Sequence, residues 1–223
     1  MIKEIFPKYL SDLIEKYVDL NFLYEIRIRL NKPIILNISN QFYFLNNLGL
    51  TKNINDGLVA TNELISKIVY ISCENSVYAI NNQLKEGFIT VKNGIRIGIA
   101  GEVVYENDIV TTVKNISYLN IRIPHKIDNC SSKIFEYLIS SPFYNTLIIS
   151  SPGLGKTTIL RDLICQIYKN KYALNCLVLD ERYEIAGACD GGAQFDLGSF
   201  TDVISGCTKS YGFESGIRSM HPD

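Results

Sequence analysis

Two hydrophobic periods alternate through the first half of the chain, and short unbroken apolar runs appear only later. Residues 8–18 set Leu10, Leu13, Ile14, Tyr17 and Val18 on one helical face, which predicts a short amphipathic helix. The period then drops to two. Leu23-Tyr-Glu25-Ile-Arg27-Ile-Arg29-Leu30 alternates apolar with charged residues, as a half-exposed strand does, and Pro33–Ile38 and Gln41–Leu45 continue in β style. Helical spacing returns over Thr61–Ile71 through Leu64, Ile65, Ile68 and Val69, and a second short helix is expected over Ser76–Leu84. Gly87–Val113 reads as β structure. Ile89 and Val91 lead into Asn93-Gly94, a hairpin turn whose residues tolerate positive φ, and Ile95, Ile97 and Ile99 return on the far side. A second turn at Asn107-Asp108 joins Val103-Val-Tyr105 to Ile109–Val113, and Leu119–Ile123 forms a last strand closed by Pro124.

From here the pattern changes. Asp128–Ser132 offers N-caps for a helix through Ile134, Phe135, Leu138 and Ile139. Leu147, Ile148 and Ile149 look like a fully buried parallel strand, followed by small residues and a helix with Ile159, Leu160, Leu163, Ile164 and Ile167 on one face. That helix ends in Lys169-Asn-Lys171, basic residues suited to its negative end. Leu174–Leu179 is a second buried strand that delivers Asp180-Glu181-Arg182 at its carboxyl end. Gly187–Gly198, rich in glycine and small residues, is consistent with a mobile loop, and Gly206–Met220 is expected to be largely helical, stopped by Pro222. The boundary should lie near His125–Asn129, giving an α+β N-terminal domain over residues 1–125 and an α/β nucleotide domain over residues 126–223. Gly98-Ile-Ala-Gly101 superficially resembles the G-x-x-G loop of KH RNA-binding domains, but its central residues are apolar and it sits in a strand, so close backbone packing is the better account.

The strand–turn–helix at Ser150-Ser151-Pro152-Gly153-Leu154-Gly155-Lys156-Thr157-Thr158 is a phosphate cradle, the P-loop of nucleotide triphosphatases. Backbone N–H groups of such a turn point at a bound anion, the Lys156 ammonium reaches the β- and γ-phosphates of ATP, and the Thr157 hydroxyl ligates Mg²⁺. The pattern G-x-x-x-x-G-K-[ST] wants glycine at position 150, where this chain has Ser150, a small residue that turns there at a steric cost only if φ is positive. The alternative is an ordinary βα turn with a surface lysine. In open α/β sheets ligands lie outside the carboxyl ends of strands, which brings Asp180 and Glu181 to the rim of the P-loop. A carboxylate there orients attacking water or holds a Mg²⁺-bound water, and Glu184 is a further candidate for that task. A polar loop cap is the plainer reading of the same residues. Arg218 reaches a phosphate of its own or an adjacent subunit, or is a surface arginine favoured by a helix end. The charged strand face of Glu25, Arg27 and Arg29 either contacts a ligand or neighbouring subunit or is simply solvated.

Bulk properties narrow the class. The 223 residues carry a formal net charge of −1, which argues against a nucleic-acid partner, because non-specific affinity rests on many phosphate-neutralising lysines and arginines. Met1–Pro7 lacks the apolar core of a signal peptide and no apolar run is long enough to span a bilayer, so a cytoplasmic protein is expected, one able to sit on the cytoplasmic face of a membrane. Six cysteines are scattered without a C-x-x-C pair, and the histidines are His125 and His221, so zinc spacing is absent and the thiols should be reduced.

With these residues laid out, the chain resembles the stage III sporulation protein AA family, a branch of the secretion-type ATPases of endospore-forming bacteria. The resemblance rests on Tyr24-Glu-Ile-Arg-Ile-Arg29, Ser76-Val-Tyr-Ala79, Gly87-Phe-Ile-Thr90, Arg96-Ile-Gly-Ile-Ala-Gly101, Asn120-Ile-Arg122, the P-loop, Asp180-Glu-Arg-Tyr-Glu-Ile-Ala186 and Ile217-Arg-Ser-Met-His-Pro-Asp223. It implies a P-loop NTPase core of RecA-like, AAA-type secretion-ATPase kind, and an ATPase that works as a homo-oligomeric, hexameric ring. Its partners would be membrane channel proteins of the sporulation septum, and Asp180, Glu181 and Glu184 would form an acidic box of catalytic carboxylates. The family places a Val/Ile-rich strand ending in Asp-Glu after Pro222-Asp223, so a C-terminally truncated copy holding only the N-terminal part of the ATPase domain is expected. Two other readings stand beside the motor: a small-molecule P-loop kinase that uses Asp180 to engage an acceptor hydroxyl, and an inactive adaptor whose nucleotide domain is a remnant.

Overall fold

The computed structural model describes residues 2–73, 81–139 and 145–223. The chain divides into two compact units, Met1–His125 and Lys126–Asp223. In the first, period-two segments become one antiparallel sheet of β1 (Leu23–Arg29), β2 (Ile35–Ile38), β3 (Gln41–Asn46), β4 (Gly49–Thr51), β5 (Phe88–Val91), β6 (Ile95–Glu106) and β7 (Ile109–Arg122), in the order β4-β3-β2-β1-β7-β6-β5. The alternation in β1 buries Ile26 and Ile28 and leaves Arg27 and Arg29 half-exposed on the other face. The core also takes in α1 (Lys8–Tyr17) through Leu10 and Ile14, and α2 (Asn62–Ser72) through Leu64, Ile65 and Ile68. Thr61 caps α2, its hydroxyl accepting from the Leu64 N–H at 3.2 Å. Of the helix expected over Ser76–Leu84, residues 76–80 lie outside the described residues, and α3 runs Asn81–Lys85.

Ile109–Val113 and Leu119–Ile123, expected as separate strands, join in the single strand β7. The pairing slips between Ala100 and Glu102, and opposite that slip Asn115 takes φ 48°. This is a bulge, which lets a long strand bend without ending. Gly101 is required at the bend: an added Cβ would lie 2.5 Å from the Lys114 carbonyl oxygen and 2.9 Å from the Ile116 Cα, backbone atoms that cannot step aside. Asn93 and Gly94 take φ 61° and 69°, the left-handed pair the hairpin turn asks for.

The second unit contains α4 (Ser132–Ile139), α5 (Lys156–Lys169), β8 (Cys176–Asp180), β9 (Thr201–Ser205) and α6 (Lys209–Met220). Strands β8 and β9 pair in parallel, from Cys176 opposite Thr201 to Asp180 opposite Ser205. Sequence periodicity missed β9, whose single Val203-Ile204 pair sits between a polar Asp202 and Ser205-Gly206. The buried strand expected at Leu147–Ile149 is not formed. Residues 145–150 carry no ladder, and Leu147 and Ile149 are each 81% exposed. The run has strand composition, but no described strand pairs with it. Outside a sheet the apolar side chains of such a run find no covering layer. The apolar face of α5 also differs from expectation: Leu163 and Ile164 are buried, but so are Asp162, Cys165 and Gln166, while Leu160 is 37% exposed.

Candidate active site

Ser150–Gly155 turns into α5 through two left-handed glycines, Gly153 at φ 80° and Gly155 at φ 83°. A Cβ at either would meet nothing within 4 Å, so glycine is needed there for backbone conformation and not for space. Ser150 is not among the positive-φ residues, so serine at that place carries no strain. Gly155 is the N-cap of α5, and the first N–H groups of a helix have no acceptor within it, which leaves those of Lys156, Thr157 and Thr158 for an anion. The Lys156 ammonium folds back over the turn, donating to the Ser150 carbonyl at 2.8 Å, the Ser151 carbonyl at 3.0 Å and the Ser150 hydroxyl at 3.2 Å. The charge therefore sits at the mouth of the turn, held by weak neutral acceptors that an anionic phosphate outcompetes.

At the carboxyl end of β8, Asp180 is 2% exposed. Its carboxylate accepts from the N–H groups of Glu184 at 2.9 Å, Ile185 at 3.1 Å and Ala186 at 2.8 Å, and its own carbonyl accepts from Gly206. Asp180 thus shapes the loop that follows, and Glu181 and Glu184 are carried on it in exposed positions. Tyr183, at φ 57°, lies against Gly206, where an added Cβ would run into its hydroxyl. The segment expected as a loose loop is tied down: Gln194 and Phe195 donate to the Ala186 carbonyl, Cys189 and Gly192 exchange backbone bonds, and Leu197 joins Ile164, Val178 and Ala186 in a small core.

Lys156, Thr157, Asp180, Glu181 and Glu184 line one open cleft of about 510 Å³, together with Arg182, Leu160, Ile185 and Lys209. Ser151, Pro152, Gly153 and Leu154 are exposed on the turn beside it. Thr158 faces another side of α5, toward Lys126, Asp162 and Cys165. Arg218 is exposed and is not among the residues lining the cleft.

Sequence reasoning passed over two charged residues of α5. Arg161 donates from Nε to the Ile185 carbonyl at 2.9 Å and from Nη2 to the Glu184 carbonyl at 2.7 Å, and its guanidinium lies 3.9 Å from the Phe195 ring centroid. Burial pulls its pKa below the ordinary arginine value, and the negative charge of Asp180 opposes that. Asp162, 4% exposed, accepts from the Ser131 hydroxyl at 2.6 Å, the Ser131 N–H at 2.8 Å and the Asn129 N–H at 3.0 Å, fixing the turn that leads into α4. Burial pushes its carboxyl pKa up, but the hydrogen bonds from Ser131 and Asn129 outweigh it and hold the group below the usual carboxylate value. The available signal was a charged residue standing among apolar positions of an otherwise amphipathic helix.

In the first unit, Arg27 pairs with Glu25 at 3.0 Å, and Arg27 and Arg29 line an open depression of about 320 Å³ with Gly98, Ala100, Tyr118 and Asn120.

The family described as sporulation stage III, protein AA, matches residues 2–223. The chain belongs to this family. Stage III sporulation protein AA of Bacillus subtilis (strain 168) is 32% identical over a 227-residue alignment that takes in 100% of the chain and 70% of the relative. Among solved structures, this stage III AA family member is similar to the Legionella pneumophila ATPase DotB (TM-score 0.54, 13% identity, 96% of the chain and 56% of DotB). It is also similar to the pilus retraction motor PilT with bound ADP (TM-score 0.54, 15% identity, 94% of the chain and 55% of PilT). The fold is therefore the mixed α/β, P-loop NTPase-like fold of secretion and pilus ATPases, and the chain spans just over half the length of those two proteins. No described helix is long and apolar enough to cross a membrane.

Proposed function

We propose that residues 126–223 bind Mg²⁺-ATP, with Ser150–Thr158 around the phosphates, Lys156 as the charge on the β- and γ-phosphates and Thr157 as the Mg²⁺ ligand. The observation that carries this is the Lys156 ammonium poised over a two-glycine turn at the start of α5, in the same cleft as Glu181 and Glu184. The residues suit the group: free helix N–H donors for phosphate oxygens, a hydroxyl at the first turn for the metal, and carboxylates across the cleft for water. Bound Mg²⁺ would draw charge from the phosphates as the terminal bond breaks. Asp180 then serves as the anchor that sets the acidic loop, because three backbone N–H groups already occupy its oxygens, and the task of orienting water falls to Glu181 and Glu184, which line the same cleft.

On this reading the protein hydrolyses ATP as a homo-oligomeric, hexameric motor acting on channel proteins at the sporulation septum, from the cytoplasmic face. Family membership and likeness to an ATPase and to a pilus retraction motor support this reading. A second reading, an inactive adaptor whose nucleotide domain is a remnant, is favoured by residues 145–150 joining no sheet. Phosphate release from ATP without an acceptor, measured with subunit mass in the same samples, decides among them. The motor reading expects acceptor-independent release and a larger assembly with ATP. Binding without turnover supports the adaptor, and ADP formation that needs an added alcohol, with the phosphoryl group on that alcohol and no free phosphate, supports a kinase.

A further inference from the structure

We infer that Arg161 is a positioning residue that locks the acidic loop to the phosphate-binding helix and so sets where Glu181 and Glu184 stand relative to Thr157. This rests on the nucleotide reading above. Arg161 follows Thr157 by four residues, so the two share one face of α5 a single turn apart. The guanidinium fork takes the carbonyls of Glu184 and Ile185, while the Asp180 carboxylate takes the N–H groups of Glu184, Ile185 and Ala186. Donors and acceptors of this short segment are thus gripped from opposite sides by opposite charges, one from α5 and one from β8. Charge-assisted bonds of this kind are stronger than neutral ones, and the planar fork loses little freedom in making two of them.

The Phe195 ring under the guanidinium completes the seat, and Phe195 is itself bonded through its N–H to the Ala186 carbonyl. Withdrawing an arginine from water is unfavourable unless its donors are met, and here the acceptors that meet them are carbonyls of the loop that carries the carboxylates. Helix α5 holds Thr157 and Arg161 at a fixed spacing. Any shift of the loop away from the P-loop must break the Arg161 bonds first.

The test compares Arg161→Gln and Arg161→Lys with the parent in the full chain. Amide hydrogen exchange at residues 184–186, whose N–H groups the Asp180 carboxylate holds, reads how firmly the segment is fixed and needs no ligand. Calorimetry with ATP, with and without Mg²⁺, reads its consequence. For Arg161→Gln the expectation is exchange about tenfold faster at those amides, and a gain in ATP affinity from Mg²⁺ that is about tenfold smaller, with metal-free ATP affinity kept. Arg161→Lys, which restores the charge and one donor direction, recovers part of both. Unchanged exchange overturns the proposal, and so does an affinity loss equal with and without Mg²⁺, which would mark a general structural role. A parent chain that binds no ATP overturns the nucleotide reading alone, and the exchange result still decides whether Arg161 holds the loop.

Discussion

Lys156 and Asp162 leave the same helix for opposite tasks. Lys156 bonds neutral acceptors that a phosphate would replace on the proposed reading, whereas Asp162 makes three bonds that fix the turn before α4. Because Asp162 is held below its ordinary value of 3.8, its stabilising contribution is complete above that value and is lost as pH falls through the folded-state pKa. Acid below about pH 4 should therefore loosen the turn before α4. Asp162→Asn keeps one acceptor oxygen and loses the charge, so it should lower stability by about 1–3 kcal/mol at neutral pH and flatten the acid limb of the stability curve. Urea melts at pH 7 and at acid pH check both, and an acid limb as steep as the parent's would assign that dependence to other carboxylates.

Gly101 shows how much of an element a sequence can disclose. Alternation and the Asn93-Gly94 turn mark the hairpin from the residues alone, and the glycine pair at 98 and 101 points to close packing of backbone. The bend that merges two expected strands into β7 depends on which carbonyl lies across from Gly101, a fact of pairing and not of local pattern. Gly101→Ala should cost about 1–3 kcal/mol by overpacking against Lys114 and Ile116, measurable as a lower denaturation midpoint. A midpoint equal to the parent's would mean that the bulge can shift. The site divides the same way. The Gly153–Thr157 turn was legible because its chemistry is local, and the arrival of Asp180 at its rim followed from the rule for strand ends. Arg161 was not legible, because its partners are backbone carbonyls more than twenty residues away. Leu147–Ile149 misled for a related reason: apolarity identifies a segment that wants burial, but a strand requires a partner, and no described strand pairs with it.

Across the whole molecule the two units are unequal. A large buried cluster from Ile2 to Ile123 supports the first, while Ile164, Val178, Ala186 and Leu197 form the small cluster of the second. The second unit should therefore lose its structure at lower urea, a transition that tyrosine fluorescence can follow, with 14 tyrosines and no tryptophan in the chain. Mg²⁺-ATP at a hundred times its dissociation constant should stabilise that unit by about 2.7 kcal/mol and leave the other transition in place. A shift confined to the first unit would move the ligand away from α5. The central claim is most directly tested by titration calorimetry of Mg²⁺-ATP into the chain and into its Lys156→Ala variant. The account predicts saturable binding to the parent, weakened at least about tenfold in the variant by loss of a charge-assisted contact. Equal binding by the two, or no heat from the parent, would contradict it.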